Sequence, residues 1–213
     1  MPLVRKPPAN AAATPVAAPP RPQAFDAAAL TGGSDDERWS AARAAAAHPD
    51  AVAALAAALP REREPRVRSA LFNSLARIAS PDSAAALLPH LRSNEASLRS
   101  GALDALRAMP VAVAPLLPAL LGDPDPDVRL LSCELLREQP EGEANRLLAA
   151  VLEREPELNV CAAALEVACE IGDRHLLDAL ARCAQRFAAD PFLGFSIAVA
   201  RERIEAQRAG SRE

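Results

Sequence analysis

The side chains best suited to soft-metal binding or to thiol and imidazole chemistry are three histidines and four cysteines: His48, His90 and His175, with Cys133, Cys161, Cys169 and Cys183. The most crowded set is Cys161, Cys169, His175 and Cys183. Cys161 and Cys169 are eight positions apart on one predicted helix, about 12 Å along its axis. Zinc–sulfur bonds of about 2.3 Å cannot bridge that gap, and neither can a disulfide. The histidines fall in separate segments, and no H-x-x-x-H pair occurs. There is no G-x-S-x-G elbow and no glycine-rich phosphate loop. Gly32 and Gly33 precede Ser34 as a linker entering a helix. The cysteines sit among apolar residues and read as buried thiols. Neither a catalytic centre, a cofactor nor a metal site is expected.

The elements that would carry any site follow from a repeat. The pairs Glu37-Arg38, Val67-Arg68, Leu98-Arg99, Val128-Arg129 and Val160-Cys161 recur at steps of 30, 31, 30 and 32 residues. A fixed period of this size marks a stacked array. Three, four and seven places after each anchor come small or apolar residues: Leu71, Phe72 and Leu75, then Ala102, Leu103 and Leu106, then Ser132, Cys133 and Leu136, then Ala164, Leu165 and Ala168. They form one helical stripe. A leucine-rich helix precedes each anchor helix. Capping residues mark the starts: Ser34 with Glu37 as a capping box, and Ser80, Asp125 and Asp190 each before a proline. Pro89 and Pro118 fall inside first helices and should kink them.

Helices are expected over 24–30 and 34–47. Pairs follow at 49–59 with 65–79, 81–92 with 95–108, 111–121 with 127–138, 141–153 with 157–170, and 173–187 with 191–207. Residues 1–22, rich in Pro and Ala, read as a disordered arm, residues 23–207 as the folded array and 208–213 as a disordered tail.

Half the residues are apolar and only 3% aromatic, with no Tyr. That suits close-packed helices and excludes a sheet protein. The net charge of -4 argues against nucleic acid as the partner. No apolar run is long enough for a membrane span, and prolines interrupt the N-terminal region where a signal peptide would lie. A cytoplasmic location is the expectation. Arg supplies all but one of the basic residues, which indicates a GC-rich gene and points to a bacterium.

The segment Asp123-Pro-Asp-Pro-Asp-Val-Arg129, followed by Leu-Leu-Ser-Cys-Glu-Leu-Leu136, resembles the second helix of a HEAT repeat. It is similar to the short type found in phycobilisome lyases. Glu64-Pro-Arg-Val-Arg68 and Ala96-Ser-Leu-Arg99 look alike, and the resemblance runs over about residues 34–170. It implies an all-α fold, a right-handed α-solenoid of about six helical pairs, with the anchor helices on the concave side. The last pair departs from the pattern, as a terminal repeat does. The His-Glu dipeptides of iron-binding HEAT-like hydroxylases do not occur. A DNA glycosylase of this architecture would need a basic groove and aromatic contacts to a base.

Two sets of residues then gain roles. Arg38, Arg68, Arg99 and Arg129 stand one per repeat. They can lock the stack by reaching a carboxylate such as Asp36, Glu64, Asp123, Asp125 or Asp127, or they can serve a ligand. Arg43, Asn73, Asp104, Glu134 and Glu166, five places after the anchors, should line a groove that turns from basic to acidic. Trp39 and Leu130 could add apolar anchors there, although Trp39 could equally pack the first repeat. Such a face suits a non-catalytic scaffold or adaptor that binds a protein partner in a regulatory or signalling complex. The alternative is a lyase-type or regulatory subunit acting on a modified or prosthetic-group-bearing protein.

Overall fold

The computed structural model describes residues 25–210. The expected arm, residues 1–22, lies outside the described residues, as do residues 211–213. Among the described residues every regular element is helical. After a 3-10 turn at Ala27–Leu30, the chain forms α1 (Asp35–Ala45), α2 (Val52–Ala58), α3 (Pro65–Ile78), α4 (Pro81–Leu87) and α5 (Ala96–Arg107). It continues with α6 (Pro110–Val113), α7 (Leu117–Leu120), α8 (Pro126–Glu134), α9 (Glu141–Arg154), α10 (Leu158–Ile171), α11 (Leu177–Arg186) and α12 (Pro191–Gly210).

These helices form two layers. The second helices α1, α3 and α5 pack in sequence, and α8, α10 and α12 do the same. The turn that ends α8 joins the two groups by packing on α5. The first layer runs through α2, α4 and α6, then α9 and α11. Most helices meet their counterpart one repeat away, which is the geometry of an α-solenoid. The core is the seam between layers. Leu55, Leu71, Leu75, Leu87, Leu106, Leu117, Leu136, Leu148 and Leu180 are fully enclosed there, each contributing about 1.5–3 kcal/mol on burial.

The local signals act as the residue chemistry demands. Ser34 and Glu37 close a reciprocal capping box. Ser80 and Asp125 accept the N–H groups of Ser83 and Asp127, and Asp190 accepts that of Leu193 at 2.8 Å. The prolines within first helices break them outright. Pro89 lies in a 3-10 turn, Leu88–Arg92, that ends α4, and Pro115 and Pro118 split their helix into α6, a 3-10 turn and α7. Each lacks the N–H that an α-turn would use. The expected helix over 127–138 is also shorter: α8 gives way to a 3-10 turn at Leu135–Glu138. No single helix among the described residues is long and apolar enough to cross a membrane.

Candidate partner-binding face

The anchor arginines fix the loops that carry the face. Each sends its guanidinium back to a carbonyl at the start of its own loop. Arg68 donates to the carbonyl of Glu62, Arg99 to Ser93 (2.6 Å), Arg129 to Asp123 (2.8 Å) and Arg38 to Gly33 (3.0 Å). Even Cys161, where the arginine is replaced, points its thiol at the Glu155 carbonyl, 3.5 Å away. The side chain at that same loop position accepts the N–H two residues on. Glu62 takes Glu64, Ser93 takes Glu95, Asp123 takes Asp125 and Glu155 takes Glu157.

Three of the arginines also cross to the next repeat. Arg38 grips Glu62 with Nε and Nη2 at 2.8 and 3.1 Å, and Arg129 grips Glu155 in the same fork at 2.8 and 2.7 Å. Arg68 reaches Glu95 and the Ser97 hydroxyl. Arg99 meets the Ser93 carbonyl alone, while Arg92 takes Asp123. The partners therefore differ from the candidates that sequence offered. Glu64 and Asp125 are spent as N-caps, Asp36 pairs with Arg66, and Arg129 uses the Asp123 carbonyl rather than its carboxylate.

The forks hold their carboxylates ionised. The Arg38 guanidinium keeps Glu62 below the usual carboxylate range against the pull of burial. Burial pushes Glu155 up, and Arg129 with the Glu157 N–H more than offsets it. Both carboxylates are almost fully enclosed, at 5% side-chain exposure, so an unpaired charge there would be costly.

With the loops fixed, the second helices present their outer side as one face, and the expected groove residues fall on it in two groups. Trp39, Arg43 and Asn73 line a groove of about 720 Å³ between α1 and α3. Asn73 and Asp104 line an adjoining one of about 280 Å³ between α3 and α5. Leu130, Glu134 and Glu166 line a third, of about 620 Å³, across α8, α10 and α12. Trp39 is half-buried and packs on the core while keeping a side in its groove.

Three features of this face escaped the sequence. Trp39 is flanked by two cations: Arg43 lies 4.6 Å and Arg66 4.1 Å from its ring centroid. Glu134 and Glu166 are not a free acidic row, because Arg137 enters between them. It contacts Glu134, grips Glu170 at 2.8 and 3.0 Å, and stands 3.8 Å from Glu166. Finally, Phe192 and Phe195 project from α12 with 60% and 71% exposure. Their signal was present as an i, i+3 pair in a terminal repeat, where no further helix covers that stripe among the described residues.

Cys161 and Cys183 meet in the core, without a third ligand beside them among the described residues. No group of three His, Cys, Asp or Glu among the described residues could hold a metal. Burial pushes the Cys133 thiol up to about 12. The neighbouring Cys183 thiol, and then burial, raises Cys161. Both stay protonated as core residues.

Residues 25–107 match the family model for HEAT repeats. No curated protein matches the chain. Among solved structures, it is similar to an archaeal HEAT-like repeats protein from Thermococcus onnurineus NA1. That match has 13% identity and a TM-score of 0.47, covering 84% of this chain and 85% of the other. A designed armadillo repeat protein matches at 14% identity and 0.41, over 84% and 98%. The complex of CpcE and CpcF of phycocyanin lyase from Nostoc sp. PCC7120 matches at 15% and 0.36, over 92% and 100%.

Proposed function

We propose that this HEAT-like solenoid is a non-catalytic scaffold that binds a protein partner along the face of its second helices, in the cytoplasm of a bacterium. The observation that supports this reading is the placement of the groove residues. All seven line cavities on one side of α1, α3, α5, α8, α10 and α12, while the arginine forks hold the loops behind them. A rigid stack that leaves a long, chemically varied face in solvent suits an extended or helical segment of another protein.

The test is affinity capture from the native host with the wild-type chain and an Asp104→Lys/Glu166→Lys variant. Both side chains are exposed, so the variant should fold with unchanged helicity. A protein held by the wild type and lost with the variant supports the scaffold reading. Equal capture of every protein by both would remove the second-helix face as the binding surface.

A further inference from the structure

We infer that the α1–α3 section of this face receives an acidic segment of the partner, whose carboxylates meet Arg43, Arg66 and Arg77 around Trp39; this rests on the scaffold reading above. The groove there is lined by those three arginines together with Trp39 and Asn73. Among the described residues neither Arg43 nor Arg77 meets a carboxylate, and both are exposed. Arg66 already shows the contact in miniature. It lies over the Trp39 ring and donates to the exposed Asp36 carboxylate at 2.9 Å.

The ring explains how two of these guanidinium groups can gather in one place. Its π-face attracts Arg43 and Arg66, which offsets part of their mutual repulsion. The donors of a guanidinium lie in its own plane and suit a carboxylate fork. The groove floor has room for a backbone because Ala70, Ala76 and Ala108 are small. Asn73 adds a side-chain amide that can both donate to and accept from an extended chain.

The surroundings favour a peptide over nucleic acid. Asp104 lines the next groove, and Glu134, Glu166 and Glu170 the one beyond. A phosphate backbone following the face would run into them, whereas a short acidic run in a protein can end at Asp104. The net charge of -4 opposes a polyanion as well.

Trp39 is the one tryptophan in the chain, so its emission reports on this groove alone. The full chain is titrated with a label-free peptide of alternating Glu and Leu, with its Lys/Leu counterpart and with oligo-dT. Calorimetry and Trp39 fluorescence are read together. The Glu/Leu peptide should bind and shift the Trp39 emission, and the Lys/Leu peptide should do neither. Raising the salt from about 0.05 to about 0.5 M should weaken binding, because exposed charges are screened. Arg43→Glu/Arg77→Glu should bind at least about tenfold more weakly, or about 1.4 kcal/mol, at an unchanged melting temperature, while Arg43→Lys/Arg77→Lys retains most of the affinity. Equal binding of the Glu/Leu peptide by the wild type and the Glu variant would overturn the inference. Tighter binding of oligo-dT than of the peptide would overturn it too, in favour of nucleic acid. If the peptide fails to bind while capture of the native partner still depends on Asp104 and Glu166, this inference falls and the scaffold reading stands.

Discussion

Between α1 and α5 the second-helix face is open and basic, whereas between α8 and α12 it is bridged by ion pairs and ends in two exposed phenylalanines. The difference arises at two positions of the same repeat. From the end of α5 onward, Arg107 and Arg137, eight places after their anchors, pair with Glu138 and Glu170, nine places after the next anchors, at 3.1 and 2.8 Å. Across the α1–α3 groove, Ala76 stands eight places after its anchor and Arg77 and Ala108 nine, with no Arg–Glu bridge across the groove they line. Identical backbone register thus gives a self-satisfied surface in one half and unspent arginines in the other. The anchor forks, by contrast, occur in both halves.

The largest loss of stability is expected at those forks. Arg129→Ala leaves the Asp123 carbonyl without its guanidinium donor and the enclosed Glu155 carboxylate with the Glu157 N–H but no countercharge, and should cost about 3–5 kcal/mol in urea unfolding. Arg99→Ala removes only a bond to a carbonyl and should cost about 1 kcal/mol. A loss of equal size in the two variants would show that the carboxylate forks are not what tightens the stack.

Acid attacks the same contacts. Glu62, Glu155 and Glu170 have folded-state values lowered below 4.5, the ordinary one, chiefly through Arg38, Arg129 and Arg137. Their stabilisation is complete above 4.5 and is lost as pH falls through the lowered folded values. The melting temperature should hold steady from about pH 7 to about 5 and drop below 4.5. Arg129→Ala should flatten that drop, and an unchanged profile in the variant would contradict the linkage.

Gly101→Ala probes the seam between α3 and α5, since an added Cβ would lie 2.3 Å from Phe72 Cε2. With Phe72 buried, overpacking should cost about 1–3 kcal/mol, and a neutral result would mean that the ring is free to move. Arg137→Ala unlocks the second half and should cost about 1–2 kcal/mol, because its carboxylate partners are only partly enclosed. The effect should be smallest at Arg43→Ala and Arg77→Ala, each within about 0.5 kcal/mol by thermal unfolding. A larger loss there would make the first half as structural as the second.

Much of this was legible in the sequence. An anchor recurring about every thirty residues (Arg in four repeats, Cys161 in the fifth), leucines at helical spacing and Ser/Asp-Pro starts define the helices within a few residues, because each is a local signal. The seven groove residues could be placed on one face because they share a register within their helices. The arginine partners were not legible, because Glu64 and Asp125 are nearer in sequence yet are consumed as N-caps. Arg66 meets Trp39, and Arg137 meets Glu170, only through the stacking of neighbouring repeats. That offset is set by side-chain packing rather than by the repeat length. The early end of α8 has no proline or glycine to announce it.

The most direct test is hydrogen exchange of the chain alone and with its captured partner bound. New protection is expected in the second helices, strongest in α1 and α3 around Trp39, with the first helices α2, α4, α9 and α11 unchanged. Protection confined to those first helices would place the binding surface on the opposite side and contradict the proposal.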